Sequence, residues 1–395
     1  MIRSATEQEQ SEAVHLGRQL DTHPLIPHLL KQRGVYTIEE MKHFLLAPLQ
    51  DLPDPELLLD CDLAARRLLD AVHHHEKIVI YGDYDVDGVT SSSLMWRYFK
   101  ESFNAELSVY IPQRLKEGYG LNKEAITHLA DHGTQLLVTV DNGSSAIAEV
   151  QHAKELGLDV IIIDHHVVSD PEPSAFAHLN PHRQSCPYPD KRLAAVGVAF
   201  MLLIHLRRLT QDDARFADAK RVNLSHLLDI VAVGTVADVA QLKGVNRALV
   251  KAGINTARAH PRAGLIALSE ISKCQLHQLT ARDIGYQLGP RLNAAGRIDD
   301  ARCGFKLLIS DHPHETRSLA AHVEQHNQER RAIQEQIQRE AMSQAERFAQ
   351  DSVIIVASPK WHHGVVGIVA SRIVERFHRP TIVLGGDDTH GEMRL

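Results

Sequence analysis

Short apolar runs rich in β-branched residues alternate with longer amphipathic stretches from about residue 51 onwards. The runs that predict strands are 77–81, 106–111, 136–140 and 159–163. Stretches 122–132 and 146–156 carry apolar residues at helical spacing and end at Gly133 and Gly157, as helices often end at glycine. Strands that alternate with helices are typical of βαβ units. We therefore predict an α/β fold in which helices cover both faces of a parallel sheet.

The first 50 residues form a separate region of the pattern. They combine helical periodicity with Pro24, Pro27 and Pro48, and Thr37 stands where the N-cap of a helix is expected. We predict a helical N-terminal segment over residues 1–50. The sheet domain follows over residues 51–310, and its later part is mostly helical in pattern.

The end of the chain changes pattern twice. Residues 315–350 contain neither glycine nor proline and are rich in Glu, Gln, Arg and Ala, so we predict a long connecting helix over residues 311–350. Strand-like runs return at 351–357 and 380–384. We assign residues 351–395 to the start of a second, smaller α/β domain, and we expect it to be truncated because about 45 residues rarely bury enough apolar surface to fold alone.

Composition excludes several classes of protein. The 395 residues are 44% hydrophobic and 24% charged, which is an ordinary globular mixture rather than a disordered or collagen-like one. No apolar run approaches the roughly 20 residues of a membrane span, and the N-terminus lacks a signal-peptide pattern. The four cysteines form no C-x-x-C pair, which favours a reducing compartment. We expect a cytoplasmic protein without a membrane partner. A net charge of −7 excludes a generally basic nucleic-acid binder, so polyanion binding would have to be local.

Candidate chemistry begins directly after the first predicted strand. Asp83, Asp85 and Asp87 occupy every second position, and carboxylates packed so closely repel one another unless a cation neutralises them. A solvated acidic turn is the alternative for this segment alone. An EF-hand is disfavoured, because the glutamate that closes such a loop is missing.

The other predicted strands end in the same way. Asp141 follows 136–140, and His165 and His166 come directly after the strand that ends before Asp164. Asp238 lies in a segment that is otherwise apolar, where an aspartate must be paired or bound to a metal. Because the carboxyl ends of parallel strands share one edge of a sheet, we expect these side chains to converge there.

An oxygen-rich set with one or two imidazoles suits Mn²⁺ or Mg²⁺ better than zinc. A shared carboxylate in such a set can bridge two ions, and a two-ion site can activate water to attack a phosphoester. The sequence therefore predicts a two-metal hydrolase.

Four ordered motifs resemble those of the DHH phosphoesterase superfamily. They are Asp83-Tyr-Asp-Val-Asp-Gly88, Val140-Asp-Asn-Gly143, Asp164-His-His166 and Gly234-Thr-Val-Ala-Asp238. Segments 111–120, 289–300 and 363–372 are similar to those of the bacterial RecJ family, whose members are 5′→3′ exonucleases specific for single-stranded DNA. The resemblance implies a DHH domain with a DHHA1-type second domain. It further implies a role in DNA repair and recombination, with single-strand-binding protein and a helicase as partners.

The resemblance also implies roles for individual residues. The ligands of two Mn²⁺ or Mg²⁺ ions would be Asp85, Asp87, Asp141, His165 and Asp238, with Asp141 as the bridge. His166 would face the scissile phosphate. Many superfamily members have a histidine where this chain has Tyr81, so Asp83 is expected to complete the first metal site.

Four arginines in glycine-containing segments are candidate phosphate ligands, because a guanidinium can grip a phosphate bidentately. They are Arg114, Arg291, Arg297 and Arg372. Surface arginines in weak ion pairs are the alternative for each. By resemblance, Ser371 and Arg372 contact the DNA 5′ end, and Asn293 and His363 also belong to the substrate-binding set.

Two competing functions stay open at this point. A hydrolase of small phosphoesters, such as a nanoRNase or a cyclic-dinucleotide phosphodiesterase, would share the metal motifs. A non-catalytic replication scaffold of the same superfamily would keep the fold but lose the ligands. If the chain is a truncated exonuclease, it should assemble the metal site and bind DNA poorly, because it would lack an OB-type module for single strands.

Overall fold

The computed structural model describes residues 6–298, 300–386 and 393–394. Its helices are α1 (Glu7–Gln19), α2 (Leu25–Gln32), α3 (Ile38–Leu46), α4 (Cys61–His73), α5 (Val86–Phe103), α6 (Arg114–Glu117), α7 (Lys123–Asp131), α8 (Ile147–Glu155), α9 (Ala195–Asp212), α10 (Leu228–Ala237), α11 (Gly244–Ala259), α12 (Ala263–Ser272), α13 (Ala281–Asp283), α14 (Gly289–Ile298), α15 (Arg302–Ile309), α16 (Pro313–Ala345) and α17 (His363–Phe377). Its strands are β1 (Ile78–Gly82), β2 (Leu107–Tyr110), β3 (Leu136–Val140), β4 (Asp159–Ile163), β5 (Ala177–Leu179), β6 (Ile354–His362), β7 (Thr381–Gly386) and β8 (Met393–Arg394).

Strands β1 to β5 form one sheet in the order β2-β1-β3-β4-β5, and every neighbouring pair is parallel. The predicted α/β class is confirmed. All four predicted strands of this sheet are present, while β5 was not predicted because three residues carry too little pattern. The strand order reverses direction between β1 and β3, and open sheets of this topology bind ligands outside the carboxyl ends of the strands at that point.

Both faces of the sheet are buried, as its near-continuous apolar strands require. In β1, Ile78 and Ile80 pack into the core beneath α4, α5 and α9. Val79 and Tyr81 point to the opposite face and pack with α7 and α8. This alternation anchors the strand on both sides, so the loop that follows it is held at a fixed place on the sheet edge.

The N-terminal segment consists of α1 to α3 and docks on α11. Thr37 is the N-cap of α3, as predicted, and forms a capping box with Glu40. The guanidinium of Arg247 lies 3.8 Å from the centre of the Phe44 ring, and Lys251 donates to the carbonyl oxygens at the end of α3.

Helix α16 is the long helix predicted to connect the sheet of β1 to β5 and its helices, here called the sheet unit, with the sheet of β6 to β8 and α17, here called the second unit. It packs against both. Its first half buries Ala320 and Val323 with α12, α14 and α15. Its second half buries Ile337 and Ala341 against the sheet of β6, β7 and β8 and against α17. No helix among the described residues is both long enough and apolar enough to cross a membrane.

Candidate metal centre

The loop between β1 and α5 holds three aspartates in different roles. Asp85 is the N-cap of α5, and its Oδ1 accepts hydrogen bonds from the backbone N–H groups of Asp87 and Gly88 at 2.8 and 3.1 Å. Gly88 is required by packing, because a Cβ there would lie 2.5 Å from the carbonyl oxygen of Asp83. This close turn directs the three carboxylates to the switch point of the sheet.

Asp87 joins this loop to a second helix. Its carboxylate accepts hydrogen bonds from the N–H groups of Ala195 and Val196 at 2.6 and 3.0 Å, which are in the first turn of α9. Burial and the charges of Asp238 and Asp85 raise the pKa of Asp87 well above its ordinary value, and these hydrogen bonds at the positive end of the helix dipole oppose that shift. Gly234 of α10 closes the other side, since a Cβ there would lie 3.2 Å from Asp87 Oδ1. Contacts within the protein therefore hold Asp87 in place.

Asp141 follows β3 with a φ of +65°, a backbone conformation that is uncommon for residues other than glycine. Its carboxylate is buried, and neither oxygen has a hydrogen-bond partner within the described part of the chain. The next residue, Asn142, donates to the carbonyl oxygens of Tyr81 and Val140. The strained residue is thus held between β1 and β3, and such strain is often found at functional sites.

His165 lies at the centre of the cluster. Its Nε2 is 3.2 Å from Asp141 Oδ1 and 3.8 Å from Asp87 Oδ2, and its Nδ1 is 4.0 Å from Asp238 Oδ2. Asp238 is supplied by the C-terminal end of α10. Among the described residues, three sets of side chains have ligand atoms within 4.8 Å of one another: Asp83 with Asp85 and Asp141, Asp87 with His165 and Asp238, and Asp141 with His165 and His166.

The electrostatics of the cluster fit a bound cation. Burial raises the pKa values of Asp83 and Asp238 to about 8 and about 7, and the charge of Asp85 adds to both shifts. Burial, followed by the charges of Asp85 and Asp87, raises the pKa of Asp141 well above its ordinary value. Burial and the nearby charge of His166 lower the pKa of His165 to about 4, so its imidazole is neutral.

Unpaired ligand atoms in the cluster are a further property of a metal site. Asp83 Oδ1, both oxygens of Asp141 and His165 Nε2 are buried, and none forms a hydrogen bond of acceptable geometry within the described residues, although His165 Nε2 lies 3.2 Å from Asp141 Oδ1. Buried polar atoms are rarely left unpaired without a reason. A neutral imidazole and several carboxylate oxygens are suitable ligands for Mn²⁺ or Mg²⁺, so the residues fit the ions expected from the sequence.

The DHH loop itself is positioned by Asp164, a role that sequence reasoning missed. Asp164 Oδ1 accepts from the backbone N–H groups of His165 and His166 and lies 2.8 Å from His166 Nδ1. This hydrogen bond outweighs burial and raises the pKa of His166 to about 9. Burial alone would raise the pKa of Asp164, but its hydrogen bonds to His166 and Ser144 hold it below its ordinary value.

Behind Asp164 lies a buried hydrogen-bond network that ties together the ends of β3, β4 and β5. The backbone N–H of Ser144 donates to Asp164 Oδ2 at 3.0 Å. The side-chain amide of Asn180 donates to Ser144 Oγ and to the carbonyl oxygen of His166, both at 2.8 Å. His178 Nε2 completes the network at 2.9 Å from Ser144 Oγ. The sequence signal for this network was a polar residue, Asn180, directly after β5, and that strand is too short to predict.

Tyr81 does not lie at the metal cluster. Its hydroxyl donates to the carbonyl oxygen of Gly120 at 3.1 Å and accepts from the side chain of Asn122 at 3.2 Å, on the face of the sheet covered by α7. Asp83, in contrast, is grouped with Asp85 and Asp141. The tyrosine therefore fixes the end of the segment that carries Arg114, and Asp83 offers the additional carboxylate.

Two of the candidate arginines lie near the cluster. The Arg114 guanidinium carbon lies 5.1 Å from the centre of the Tyr84 ring. Burial raises the pKa of Tyr84 and of Asp83, and the positive charge of Arg114 offsets part of both shifts. Arg297 donates to the carbonyl oxygen of Gly364 at 3.3 Å, which connects α14 to the start of α17. Asn293 of the same helix accepts from the N–H of Val86, beside Asp85, at 3.1 Å.

Arg291 is placed differently from Arg114 and Arg297. It is 8% exposed, its Nε lies 2.5 Å from Glu324 Oε2, and it donates to the carbonyl oxygen of Gln287. Arg291 therefore links α14 to α16, and these contacts leave its guanidinium unavailable to a phosphate. A glycine-containing segment alone could not reveal this partner.

The remaining candidates lie on α17. His363 is its first residue and stacks on the ring of His362, which is the N-cap. Ser371 and Arg372 are exposed; Ser371 donates to the carbonyl oxygen of Gly367, and Arg372 pairs with Glu375 at 2.8 Å. An exposed pair of this kind is weak and can exchange for a ligand.

Comparisons with known proteins agree with this geometry. A family model described as "DHH family, N-terminal domain" matches residues 77–235. The Salmonella typhimurium "Single-stranded-DNA-specific exonuclease RecJ" is 42% identical over 382 residues, which are 93% of this chain and 65% of the relative. This chain therefore spans less than two thirds of that relative's length.

Solved structures show the same similarity. A structure titled "Crystal structure of exonuclease RecJ bound to manganese" matches with a TM-score of 0.74 and 32% identity, over 83% of this chain and 80% of that one. RecJ from Thermus thermophilus in complex with Mn²⁺ matches with a TM-score of 0.80 and 30% identity, over 97% of this chain and 53% of that one. A Mg²⁺ complex from the same organism also matches.

Proposed function

Because this chain belongs to the RecJ family of DHH proteins, we propose that it is a metal-dependent 5′→3′ exonuclease that hydrolyses single-stranded DNA to 5′-mononucleotides. The observation that carries the proposal is the set of buried, unpartnered ligand atoms of Asp83, Asp141 and His165 at the sheet edge where ligands bind. A role in DNA repair and recombination follows from the same family membership.

Two ions, Mn²⁺ or Mg²⁺, are the proposed cofactors. The residues that would hold them are Asp83, Asp85, Asp87, Asp141, His165 and Asp238. Ions of this kind activate water and neutralise charge on a phosphoryl oxygen. Relatives solved with Mn²⁺ and with Mg²⁺ support this choice.

His166 is proposed to contact the reacting phosphate. Its Nδ1 is engaged by Asp164, which raises its pKa to about 9, so the ring is positively charged at neutral pH with Nε2–H free to donate. Its side chain is 47% exposed, in contrast to the buried carboxylates around it. A charged donor aimed at a phosphate oxygen stabilises the charge that develops there during hydrolysis.

The strand is proposed to reach this site along a path lined by Arg114 and Arg297, with Ser371, Arg372 and His363 of α17 near its 5′ end. Arg297 donates to the backbone of Gly364 in α17, and the charge of Arg114 is close enough to add to the effect of burial in lowering the pKa of Arg297. We propose that the space between the sheet unit and α17 admits one strand and excludes a duplex.

The test is digestion of long oligonucleotides labelled at the 5′ or the 3′ end, as single strands and as duplexes, with Mn²⁺, Mg²⁺ or EDTA. We expect 5′-mononucleotides from single strands only, and no product in EDTA. Activity restricted to dinucleotides would instead identify a small-phosphoester hydrolase, and no activity with any substrate would indicate a scaffold.

The finer expectations from the resemblance are also proposals. We propose a cytoplasmic location and cooperation with single-strand-binding protein and a helicase, on family membership alone. The domain boundaries at residues 50, 310 and 350 stay predictions.

A further inference from the structure

A cavity of about 190 Å³ lies beside the candidate metal centre, between the sheet unit and the second unit. It is lined by Ala237, Gly285, Gly289, Pro290, Asn293, Arg297, Arg330 and Ile368. Ala237 directly precedes the candidate ligand Asp238, and Asn293 bonds the backbone next to Asp85. The cavity therefore adjoins the metal cluster, while Arg330 and Ile368 belong to α16 and α17.

The wall formed by the sheet unit exposes backbone to the cavity. Gly285 lies in a π-helical turn over Ile284–Leu288, and the nearest atom to a Cβ placed there would be Val236 Cγ1 at 3.6 Å. π-Helical turns occur frequently at functional sites. Gly285 therefore lets a ligand approach the backbone closely, whereas Gly289 serves packing, because a Cβ there would lie 3.2 Å from Ala237 Cβ.

Two guanidinium groups face this cavity, and neither pairs with a carboxylate within residues 6–298 and 300–386. Arg330 donates to the side-chain oxygens of Asn327 and Gln334 at 2.7 and 2.8 Å, which are neutral. Arg297 donates to the carbonyl oxygen of Gly364. Glu324, a carboxylate of the same helix α16, pairs with Arg291 instead. The positive charge of Arg330 is therefore not balanced by a carboxylate of the described residues.

The N–H donors of Arg330 that have no acceptor suit an anion with several oxygens. A guanidinium has five N–H donors. Asn327 and Gln334 each use one, so Nε–H and one N–H on each terminal nitrogen remain. Burial lowers the pKa of Arg330, and the charges of Arg331 and Arg297 add to this, so a negative ligand in the cavity would relieve both effects.

We propose that Arg330, together with Arg297, binds an internucleotide phosphate of the DNA strand adjacent to the phosphate at the metal centre. The inference rests on the function proposed above and assigns a binding residue outside the set expected from the sequence. A phosphate is the chemical class that fits, because it offers the oxygens that a planar guanidinium binds bidentately. The position beside the metal cluster places that phosphate on the substrate strand.

The experiment compares Arg330→Gln with Arg331→Gln in the full chain. Arg331 is the adjacent residue on α16 and is exposed, so its replacement removes the same charge from the same helix. Binding of a short single-stranded oligonucleotide is measured in EDTA at several salt concentrations. We expect Arg330→Gln to weaken binding about tenfold and to reduce the salt slope by about 0.7, whereas Arg331→Gln changes affinity less than about twofold.

A second measurement locates the phosphate. Single uncharged methylphosphonate linkages are placed in turn along the oligonucleotide. At one linkage near the 5′ end, the methylphosphonate should weaken binding by the parent chain. It should not weaken binding by Arg330→Gln any further, because that variant has already lost the same contact. Arg330→Lys keeps a charge without the planar fork and should show an intermediate affinity; it provides the same test if Arg330→Gln does not fold.

The outcomes separate this inference from the proposed function. A parent chain that binds and digests single-stranded DNA while Arg330→Gln matches Arg331→Gln would overturn the inference alone. Equal losses for the parent and Arg330→Gln at every methylphosphonate position would do the same. A parent that neither binds nor digests single-stranded DNA would overturn the proposed function, and this inference with it.

Discussion

Replacing Asp141 with asparagine should stabilise the metal-free protein and remove most of its stabilisation by Mn²⁺. Both carboxylate oxygens of Asp141 are buried without a hydrogen-bond partner in the described chain, and the charges of Asp85 and Asp87 oppose its ionisation. Asparagine has nearly the same shape and tolerates the left-handed backbone at this position. Its amide can donate to a neighbouring carboxylate, so the substitution removes repulsion without opening a cavity.

The pH dependence of the free energy of unfolding follows from proton binding. Burial raises the pKa values of Asp83 and Asp238 to about 8 and about 7, from 3.8, so the metal-free native state keeps protons that the unfolded chain has released. Such groups stabilise the fold fully below their unfolded pKa, and that contribution is lost as the pH rises through the folded pKa. One retained proton corresponds to about 1.4 kcal/mol per pH unit, or about 2 kcal/mol between about pH 5.5 and about pH 7.

We therefore expect the free energy of unfolding of the parent in EDTA to fall over this range. Asp141→Asn should show a shallower fall and be more stable than the parent by about 1–3 kcal/mol at about pH 7, which is the cost of a buried unsatisfied polar group. Without EDTA, Mn²⁺ should stabilise the parent strongly and the variant little, because Asp141 is the residue proposed to be shared by both ions.

Urea unfolding followed by tryptophan fluorescence measures these differences, with Asp131→Asn, which changes an exposed residue at the end of α7, as the matched control. The control should behave as the parent does in every condition. A variant that is less stable than the parent in EDTA at about pH 7, or that keeps the full Mn²⁺ stabilisation, would refute the assignment of Asp141.

Three further substitutions test other contacts. Asp164→Asn should lower the pKa of His166 from about 9 toward its ordinary value, since the Asp164 hydrogen bond is the largest cause of the shift; NMR titration in EDTA would contradict this if the value stayed unchanged. Asn180→Leu should lower kcat about tenfold and leave KM within about twofold, because it removes the hydrogen bond to the His166 carbonyl oxygen without changing a proposed DNA-binding residue. A change confined to KM would argue against this role of Asn180. Arg262→Leu should lower the free energy of unfolding by about 3–5 kcal/mol, since the buried Asp229 loses its partner, and a loss below about 1 kcal/mol in urea would be inconsistent with the pair.

The sheet was predictable from the sequence because its strands are buried on both faces. Runs such as 160–163 are apolar throughout and stop at an acidic residue, so strand type and strand end are both visible. The parallel arrangement then predicts that Asp141, His165 and the aspartates after β1 lie together, and the structure places them within a few ångströms. Strand β5 was missed because its three residues gain their conformation from pairing with β4 rather than from local pattern.

The partners of polar side chains were not predictable in the same way. Arg291 and Arg297 lie six positions apart in one segment, yet one is buried against Glu324 and the other faces a cavity. Which of the two arginines pairs with Glu324 depends on where α16 crosses α14, and this crossing cannot be predicted from the local pattern of either helix. For the same reason, no pattern in the sequence distinguishes Asn180 or Arg330, because each acquires its surroundings only in the folded chain.

Helix α16 has a consequence for how the protein unfolds. It runs unbroken for 33 residues, about 50 Å, and its buried side chains are divided between two hydrophobic cores. Opening either core removes packing from a helix that the other core needs. We therefore expect the backbone amides of β6 and β7 to exchange with solvent hydrogen at the same free energy of opening as those of α16. The position at which the sequence pattern changes, near residue 350, would then not divide the chain into separate cooperative units.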